Sequence, residues 1–269
     1  METIYLASGA EMPIVGTGTN TFGKENNKYD GIITGDTTEL DQAIVAGYRH
    51  IDTAISYRNE SVVGDAVAKS GLPREVFFIT SKIPGRPEYV GTDEAVHTSV
   101  KASLNALRTD YIDLYLIHHP WDDLEEMLYV WKILENYVDE GVIRAIGVSN
   151  FDEVQLQYLM DHARIKQAAN QVQSHPGHWN HGIIDFCQAN GVTPVAWGPL
   201  SRVQDSNRVK LAEIGEKYGK TWAQIALRYQ VERGVVVIPK SHNSERQMQN
   251  LTLFDFELTE EEKIIISEL

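Results

Sequence analysis

VFFITSK at residues 76–82 and LYLIHHP at residues 114–120 are the stretches whose reading decides the fold. Each is a short apolar run, rich in β-formers, that closes on a group able to carry charge, Lys82 in one and His118 in the other. Side chains alternate along a strand, so Val76, Phe78, Thr80 and Lys82 share a face, as do Ile112, Leu114, Leu116 and His118. His118, rather than His119, therefore continues the inward apolar row. Strands of a barrel that end in polar groups aim them into one mouth, where a reactive site is assembled.

Six further runs of the same kind lie at 14–18, 48–52, 144–149, 168–171, 192–197 and 235–239, making eight with 76–82 and 112–118. Between them fall amphipathic patterns at 38–46, 61–70, 92–107, 124–140, 151–161 and 183–190. Strict alternation of near-continuous apolar strands with helices predicts a parallel sheet covered by helices, and eight repeats predict closure into an α/β barrel of the (β/α)8 type. Such a barrel takes about 250 residues, so the 269-residue chain fits one domain, 1–269. Extra helices are expected at 209–218 and 221–233, before the eighth strand, and at 259–269, where Thr259 and Glu262 have capping-box spacing. Ser8-Gly9-Ala10 between two short apolar runs predicts an N-terminal β-hairpin on the barrel floor.

The composition, 42% hydrophobic and 23% charged, is that of an ordinary globular protein. A net charge of −14 opposes nucleic acid and anionic lipid, so no nucleic-acid or membrane partner is expected, and an anionic ligand needs a local basic cluster. The N-terminus has no signal-peptide pattern, and no run reaches the roughly 20 apolar residues of a spanning helix; the expectation is a cytoplasmic protein. The single cysteine, Cys187, excludes an internal disulfide framework and sits among Ile183, Ile184 and Phe186, as a buried spectator would. The glycosylation-like triplets at Asn59 and Asn250 read as accidental. His175, His178 and His181 lie around Pro176 and Gly177, which break any regular ligand face, so no metal is assigned.

Asp52 ends the second run, and Tyr57 follows it by five residues in IDTAISYRNE (51–60). A lysine at the end of an apolar strand needs a carboxylate, and Asp52 is the available partner for Lys82. A phenol has a pKa near 10, and an adjacent ammonium is expected to draw Tyr57 down toward neutrality, making Asp52, Lys82 and Tyr57 a tuned acid. Taken singly, each has a structural explanation: a cap, a solvated strand end, a rim aromatic, a core imidazole. Four at the same end of one barrel point to chemistry.

These segments, with IGVSNF (146–151) and IPKSHNSERQMQN (238–250), resemble the aldo-keto reductase family over nearly the whole chain, closest in motif to bacterial reductases of keto acids and sugar acids. The resemblance implies that Tyr57 is the general acid for carbonyl reduction, that Lys82 and Asp52 tune it, and that His118 orients the carbonyl. It also implies a small-molecule carbonyl substrate and a monomer.

Hydride transfer needs a cofactor, and no GxGxxG opens a helix after a strand. GTGTN (16–20) has only part of a glycine pattern, with Gly18 and Thr19 at the mouth end. The stronger signal is Lys240 leaving the eighth strand with Arg246 shortly after, a point charge and a planar fork suited to a phosphomonoester, hence NADP(H). By resemblance, Lys240, Ser241, His242 and Arg246 surround the 2′-phosphate, and Gln249 and Asn250 approach adenine, although the family usually has glutamate at the position of Gln249. Ser149, Asn150 and Gln171 end strands and have the donors and acceptors for a carboxamide. Trp197 is placed to stack on nicotinamide, with Gly198, Pro199, Leu200 and Ser201 over the pyrophosphate.

The substrate pocket is expected around Asn20, Phe22, Pro84, His119 and Trp121. Relatives commonly carry aromatics at the positions of Asn20, Pro84 and His119, so a more polar pocket is expected. The chain ends at Leu269, where many relatives continue into a covering loop; the expectation is an open mouth and broad specificity. Two rival readings are a class I aldolase with a Schiff base on Lys82 and a catalytically silent NADP-binding regulatory subunit.

Overall fold

The structure, a computed structural model, describes residues 2–269; Met1, the first residue of the expected domain, lies outside them. A hairpin, β1 (Thr3–Tyr5) and β2 (Glu11–Pro13), precedes eight parallel strands. These are β3 (Thr17–Gly18), β4 (His50–Asp52), β5 (Phe78–Ile83), β6 (Leu114–Ile117), β7 (Ile146–Ser149), β8 (Ala169–Gln173), β9 (Thr193–Trp197) and β10 (Val236–Val237), each paired with its sequence neighbour. The ring closes between its ends: Val237 N–H donates to Ile14 O at 2.9 Å, and Gly16 N–H donates to Val237 O at 2.8 Å. The (β/α)8 expectation is met.

The helices are α1 (Thr38–Ala46), α2 (Glu60–Lys69), α3 (Pro87–Val90), α4 (Asp93–Leu107), α5 (Leu124–Asp139), α6 (Glu153–His162), α7 (His181–Ala189), α8 (Asp205–Glu216), α9 (Trp222–Glu232), α10 (Ser244–Leu251) and α11 (Glu260–Ser267). Several start on side-chain caps that satisfy otherwise unpaired N–H groups. Asp123 accepts from Glu125 N and Glu126 N, and capping boxes open α6, α9 and, as expected, α11.

Strand boundaries moved where the backbone forbids a ladder. Pro239 has no N–H, which cuts the eighth strand to two residues. Arg74–Val76 forms a 3-10 turn after Pro73, so the third strand begins at Phe78, and Val76, expected on the inward face, is exposed. The short α3, with Pro87 in its first turn, has no counterpart in the expected pattern.

Strand parity holds in β6: Leu114 and Leu116 pack in one apolar cluster, Tyr115 and Ile117 in another. Register sets the height of the site. Asp52 stands opposite Gly18 and Thr80, and Lys82 opposite Leu116, so the polar ends of β4 and β5 rise together. At the other end, buried Leu6, Met12 and Ile14 join the cluster that fills the barrel, as expected for a hairpin closing its floor.

Residues 19–37 form a long excursion between β3 and α1, pinned from both sides. Lys24 Nζ donates to Asn20 O at 2.9 Å and Tyr29 O at 2.7 Å, and the Asn59 amide donates to Thr19 O and Phe22 O.

Helix α2 approaches α4 so closely that a Cβ on Gly64 would lie 2.5 Å from Ala106 O and 2.8 Å from the Leu107 carbonyl carbon, both rigid backbone. Gly64→Ala is expected to lower unfolding free energy by roughly 1–3 kcal/mol, read as a lower denaturant midpoint at unchanged slope.

Candidate active site

The site is assembled from the ends of β4, β5 and β6 and the turn after β4. Lys82 and Asp52 are buried, their side chains 0% and 2% exposed, with Nζ 2.6 Å from Asp52 Oδ1. Nζ also donates to Thr53 O at 2.9 Å and to the Tyr57 hydroxyl at 3.3 Å. Asp52 Oδ2 accepts from Gln171 Nε2 at 2.7 Å, so both carboxylate oxygens are held. Tyr57 hangs from a 3-10 turn, Ile55–Tyr57, that ends on Arg58 in the left-handed region at φ 61°. His118 meets the Tyr57 ring edge-on, with centroids 5.6 Å apart.

Burial works against a charged Lys82, but the Asp52 carboxylate and the Tyr57 hydroxyl outweigh it and hold the ammonium above its ordinary value. Tyr57 departs from the expectation. Burial raises its phenol, Lys82 pulls the other way, and the net direction is upward. The phenol is thus kept protonated, and Lys82 stands ready for the phenolate that proton donation would leave. Burial, helped by Lys82 and His119, pushes His118 down to about 2, so its imidazole is neutral. His118 Nδ1 is buried without a partner among the described residues.

A cavity of about 480 Å³ runs from this constellation to Lys240. Tyr57, His118, His119 and Tyr29 line one end, and Gly18, Thr19, Asn20, Ser149, Asn150, Gln171 and the segment 197–202 line the rest. Ser149 Oγ donates to Gln171 O, and Trp197 Nε1 donates to Asn150 Oδ1 at 2.8 Å. Lys240 Nζ has only neutral partners, Asn20 Oδ1 at 2.9 Å and Thr21 Oγ1 at 2.8 Å, and desolvation lowers its pKa. A cation at a cavity wall without a carboxylate is poised for an anionic ligand. Ser241, Arg246 and Gln249 lie past the rim, on the turn after Lys240 and on α10, and the Arg246 guanidinium forms no ion pair among the described residues.

Other expected residues are elsewhere. Phe22 is fully buried in the core and packs edge-on against His242 at 5.1 Å, because the Asn59 amide draws its backbone inward. Pro84 is buried and Trp121 covers Gly85, so neither lines the cavity. His242 has both ring nitrogens engaged, Nδ1 with Glu39 Oε1 at 2.9 Å and Nε2 with Thr21 Oγ1 at 2.8 Å; it braces the excursion against α1 and has no ring atom left for a phosphate. Asn250 is 4% exposed, on the inner face of α10.

Two cavity residues with polar side chains escaped the sequence reading. Tyr29 is brought beside Tyr57, with centroids 6.0 Å apart, by the excursion that Lys24 and Arg58 tie down. Arg202 follows the expected cover segment by one residue, at φ 57°. Only proximity to the GPLS segment could have flagged it. Cys187 is buried, with its thiol pushed up to about 11. His175 Nδ1 and His181 Nε2 face backbone carbonyls.

His50, buried beneath the site with Nδ1 near Pro13 O and Nε2 near Thr80 Oγ1, is held at about 4 by burial. The unfolded chain takes up protons on His50 and His118 below about pH 6.5, whereas the folded chain does so only at far lower pH. Their contribution to stability is therefore full above that value and lost as pH falls toward the folded values. The imidazole C–H resonances of His50 and His118 are expected to stay at their neutral positions from about pH 8 to 5.5.

The model of the aldo/keto reductase family matches residues 14–269. Glyoxal reductase of Bacillus subtilis (strain 168) is 40% identical over 264 residues, covering 97% of this chain and 90% of the relative. An aldo/keto reductase crystal structure from Brucella melitensis superposes with a TM-score of 0.90 at 32% identity, covering 99% of this chain and 98% of that one. The Bombyx mori aldo-keto reductase, solved in complex with NADP, gives 0.88 at 35% identity over 99% of this chain and 92% of that one.

Proposed function

The chain belongs to the aldo/keto reductase family, and from that premise we propose how its residues divide the work of an NADPH-dependent carbonyl reductase acting on a small aldehyde, ketone, keto acid or keto sugar. The observation that carries the reading is the contact of Tyr57 with an ammonium that Asp52 holds charged, beside a neutral imidazole, in the wall of a cavity that also reaches Lys240.

The cavity suits an extended dinucleotide. Lys240 offers a cation with only neutral partners, Arg246 a guanidinium without an ion pair among the described residues, and Gly18 a stretch of cavity wall without a side chain. Lys240, Arg246 and the Ser241 hydroxyl would hold the 2′-phosphate, and Gln249, less buried than Asn250, would approach adenine. Gly198, Pro199, Leu200 and Ser201 would lie along the pyrophosphate. Gln171 Oε1 and the second lone pair of Asn150 Oδ1 would accept from a carboxamide, with Asp52 holding the Gln171 amide, Ser149 contacting that of Asn150, and Trp197 forming the wall. NADPH, when bound, supplies the hydride.

The protein residues supply the proton and the orientation. His118, neutral, donates a hydrogen bond to the carbonyl oxygen and polarises it. As negative charge develops on that oxygen, Tyr57 donates its hydroxyl proton to it. The alkoxide is a far stronger base than a phenolate, so a raised phenol pKa does not prevent transfer; it guarantees that the proton is present. Lys82 stabilises the phenolate left behind, and Asp52 keeps Lys82 cationic throughout. The chain is proposed to work as one barrel unit, monomeric, in the cytoplasm.

Tyr57→Phe is expected to lower the rate of the chemical step by roughly 10²–10⁴ while cofactor affinity is unchanged; single-turnover NADPH oxidation checks it, and an unchanged rate would remove Tyr57 as the acid. Lys240→Ala combined with Arg246→Ala is expected to weaken NADPH by more than tenfold and NADH by far less. Equal losses in fluorescence titrations with the two cofactors would contradict the phosphate assignment.

A further inference from the structure

His119 stands where the resemblance led us to expect an aromatic. It lines the cavity beside His118, with the two rings nearly parallel, 10° apart, and centroids at 4.6 Å. Its protonation pattern follows from which atoms around Asn150 can donate and which can only accept. The indole Nε1 of Trp197 can only donate, so the atom it meets at 2.8 Å, Asn150 Oδ1, is fixed as the acceptor. That fixes the orientation of the amide, and Asn150 Nδ2 is then the atom 3.1 Å from His119 Nδ1. An amide nitrogen only donates, so Nδ1 accepts and the single proton of the neutral ring lies on Nε2. Asn150 is itself held in the left-handed region at φ 60°, with further contacts to Ser149 Oγ at 3.0 Å and His118 O at 3.3 Å. Nε2 of His119 has no hydrogen-bond partner among the described residues.

We infer that His119 is a specificity-determining residue whose Nε2–H donates to a second oxygen on the carbon next to the reacting carbonyl, so that the site selects vicinally oxygenated carbonyls, 1,2-dicarbonyls and their α-hydroxy counterparts. The inference rests on the carbonyl-reductase reading above. The first oxygen is served by Tyr57 and His118, whose Nδ1 is buried and unpartnered. Burying a lone pair without a partner is easier than burying an N–H without one, so its proton too is on Nε2. Two stacked rings thus carry two parallel-plane donors, matched to two neighbouring oxygens. Two of the neighbouring donors are already committed: Tyr29 OH donates to Ser56 O, and Trp197 Nε1 to Asn150 Oδ1. Burial and Lys82 hold His119 below its ordinary pKa, which keeps Nδ1 free to accept from Asn150.

The test compares methylglyoxal with isobutyraldehyde, in which a methyl group replaces the second oxygen, each measured relative to the unmodified protein. His119→Phe is expected to lower the ratio of kcat/KM for methylglyoxal to kcat/KM for isobutyraldehyde roughly tenfold, the worth of one hydrogen bond. His119→Gln, which keeps a donor, is expected to restore most of the loss. Equal effects on the two aldehydes, no effect on either, or no recovery with glutamine overturns the inference. A protein with no NADPH-dependent turnover of either aldehyde refutes the reductase reading itself, and this inference with it. Nitrogen-15 spectra of His119 give a readout independent of activity: a proton on Nδ1 instead of Nε2 in the NADPH-bound protein overturns the assignment.

Discussion

The ion pair between Lys82 and Asp52 is the constraint on which the site depends. Two side chains almost wholly removed from water would cost several kcal/mol each in desolvation, and the barrel recovers that only because every polar atom of the pair is met. Asp52 receives Lys82 on one oxygen and Gln171 on the other, and its backbone carbonyl accepts from Thr19 Oγ1 at 2.9 Å. These contacts tie the first, second, third and sixth barrel strands together at one level. Removing either charge would leave the other buried alone, at a cost of about 3–5 kcal/mol, so the fold and the chemistry share one set of bonds.

With the pair fixed, the neighbouring groups are tuned chiefly by burial. Burial raises the Tyr57 phenol, lowers His118 and lowers His119, leaving all three neutral around a single ammonium. A neutral phenol and a neutral imidazole are both donors toward an oxygen that acquires charge only during the reaction. The site therefore holds its donors ready without placing a second full charge next to Lys82. Asn150 extends the same economy outward, since one amide orients His119, contacts the His118 carbonyl and anchors Trp197.

The barrel was legible because its signals are local and repeated: apolar runs of strand length, helical periods between them, and parity that set Leu114 and Leu116 apart from Tyr115 and Ile117. Strand ends were less so, because Pro239 and the turn after Pro73 act through backbone hydrogen bonding rather than hydrophobicity. The four polar strand-end groups were legible from position, but the direction of the Tyr57 shift was not. Spacing shows that an ammonium is near, whereas the desolvation that outweighs it belongs to the packed cavity. Phe22 and His242 went to the wrong neighbours for a related reason. The excursion 19–37 turns inward on Asn59 and α1, contacts between residues far apart in sequence with no periodic signature. Tyr29 reached the mouth by the same route and was missed with them.

The protonation of Lys82 also decides between the two chemistries its position allows. A Schiff-base lysine must present a lone pair to a carbonyl carbon, which requires a neutral amine. Here Nζ directs one contact to Asp52, one to the Thr53 carbonyl and one to the Tyr57 hydroxyl, which accounts for all three protons of an ammonium. Withdrawing a proton would leave Asp52 as an uncompensated buried anion, so the cost of making the nucleophile falls on the carboxylate as well as on the amine. The bond that makes Lys82 a poor nucleophile is the one that makes it an effective partner for a phenolate. The silent-subunit reading finds no support in the site either, since Tyr57 lines the cavity next to a neutral imidazole.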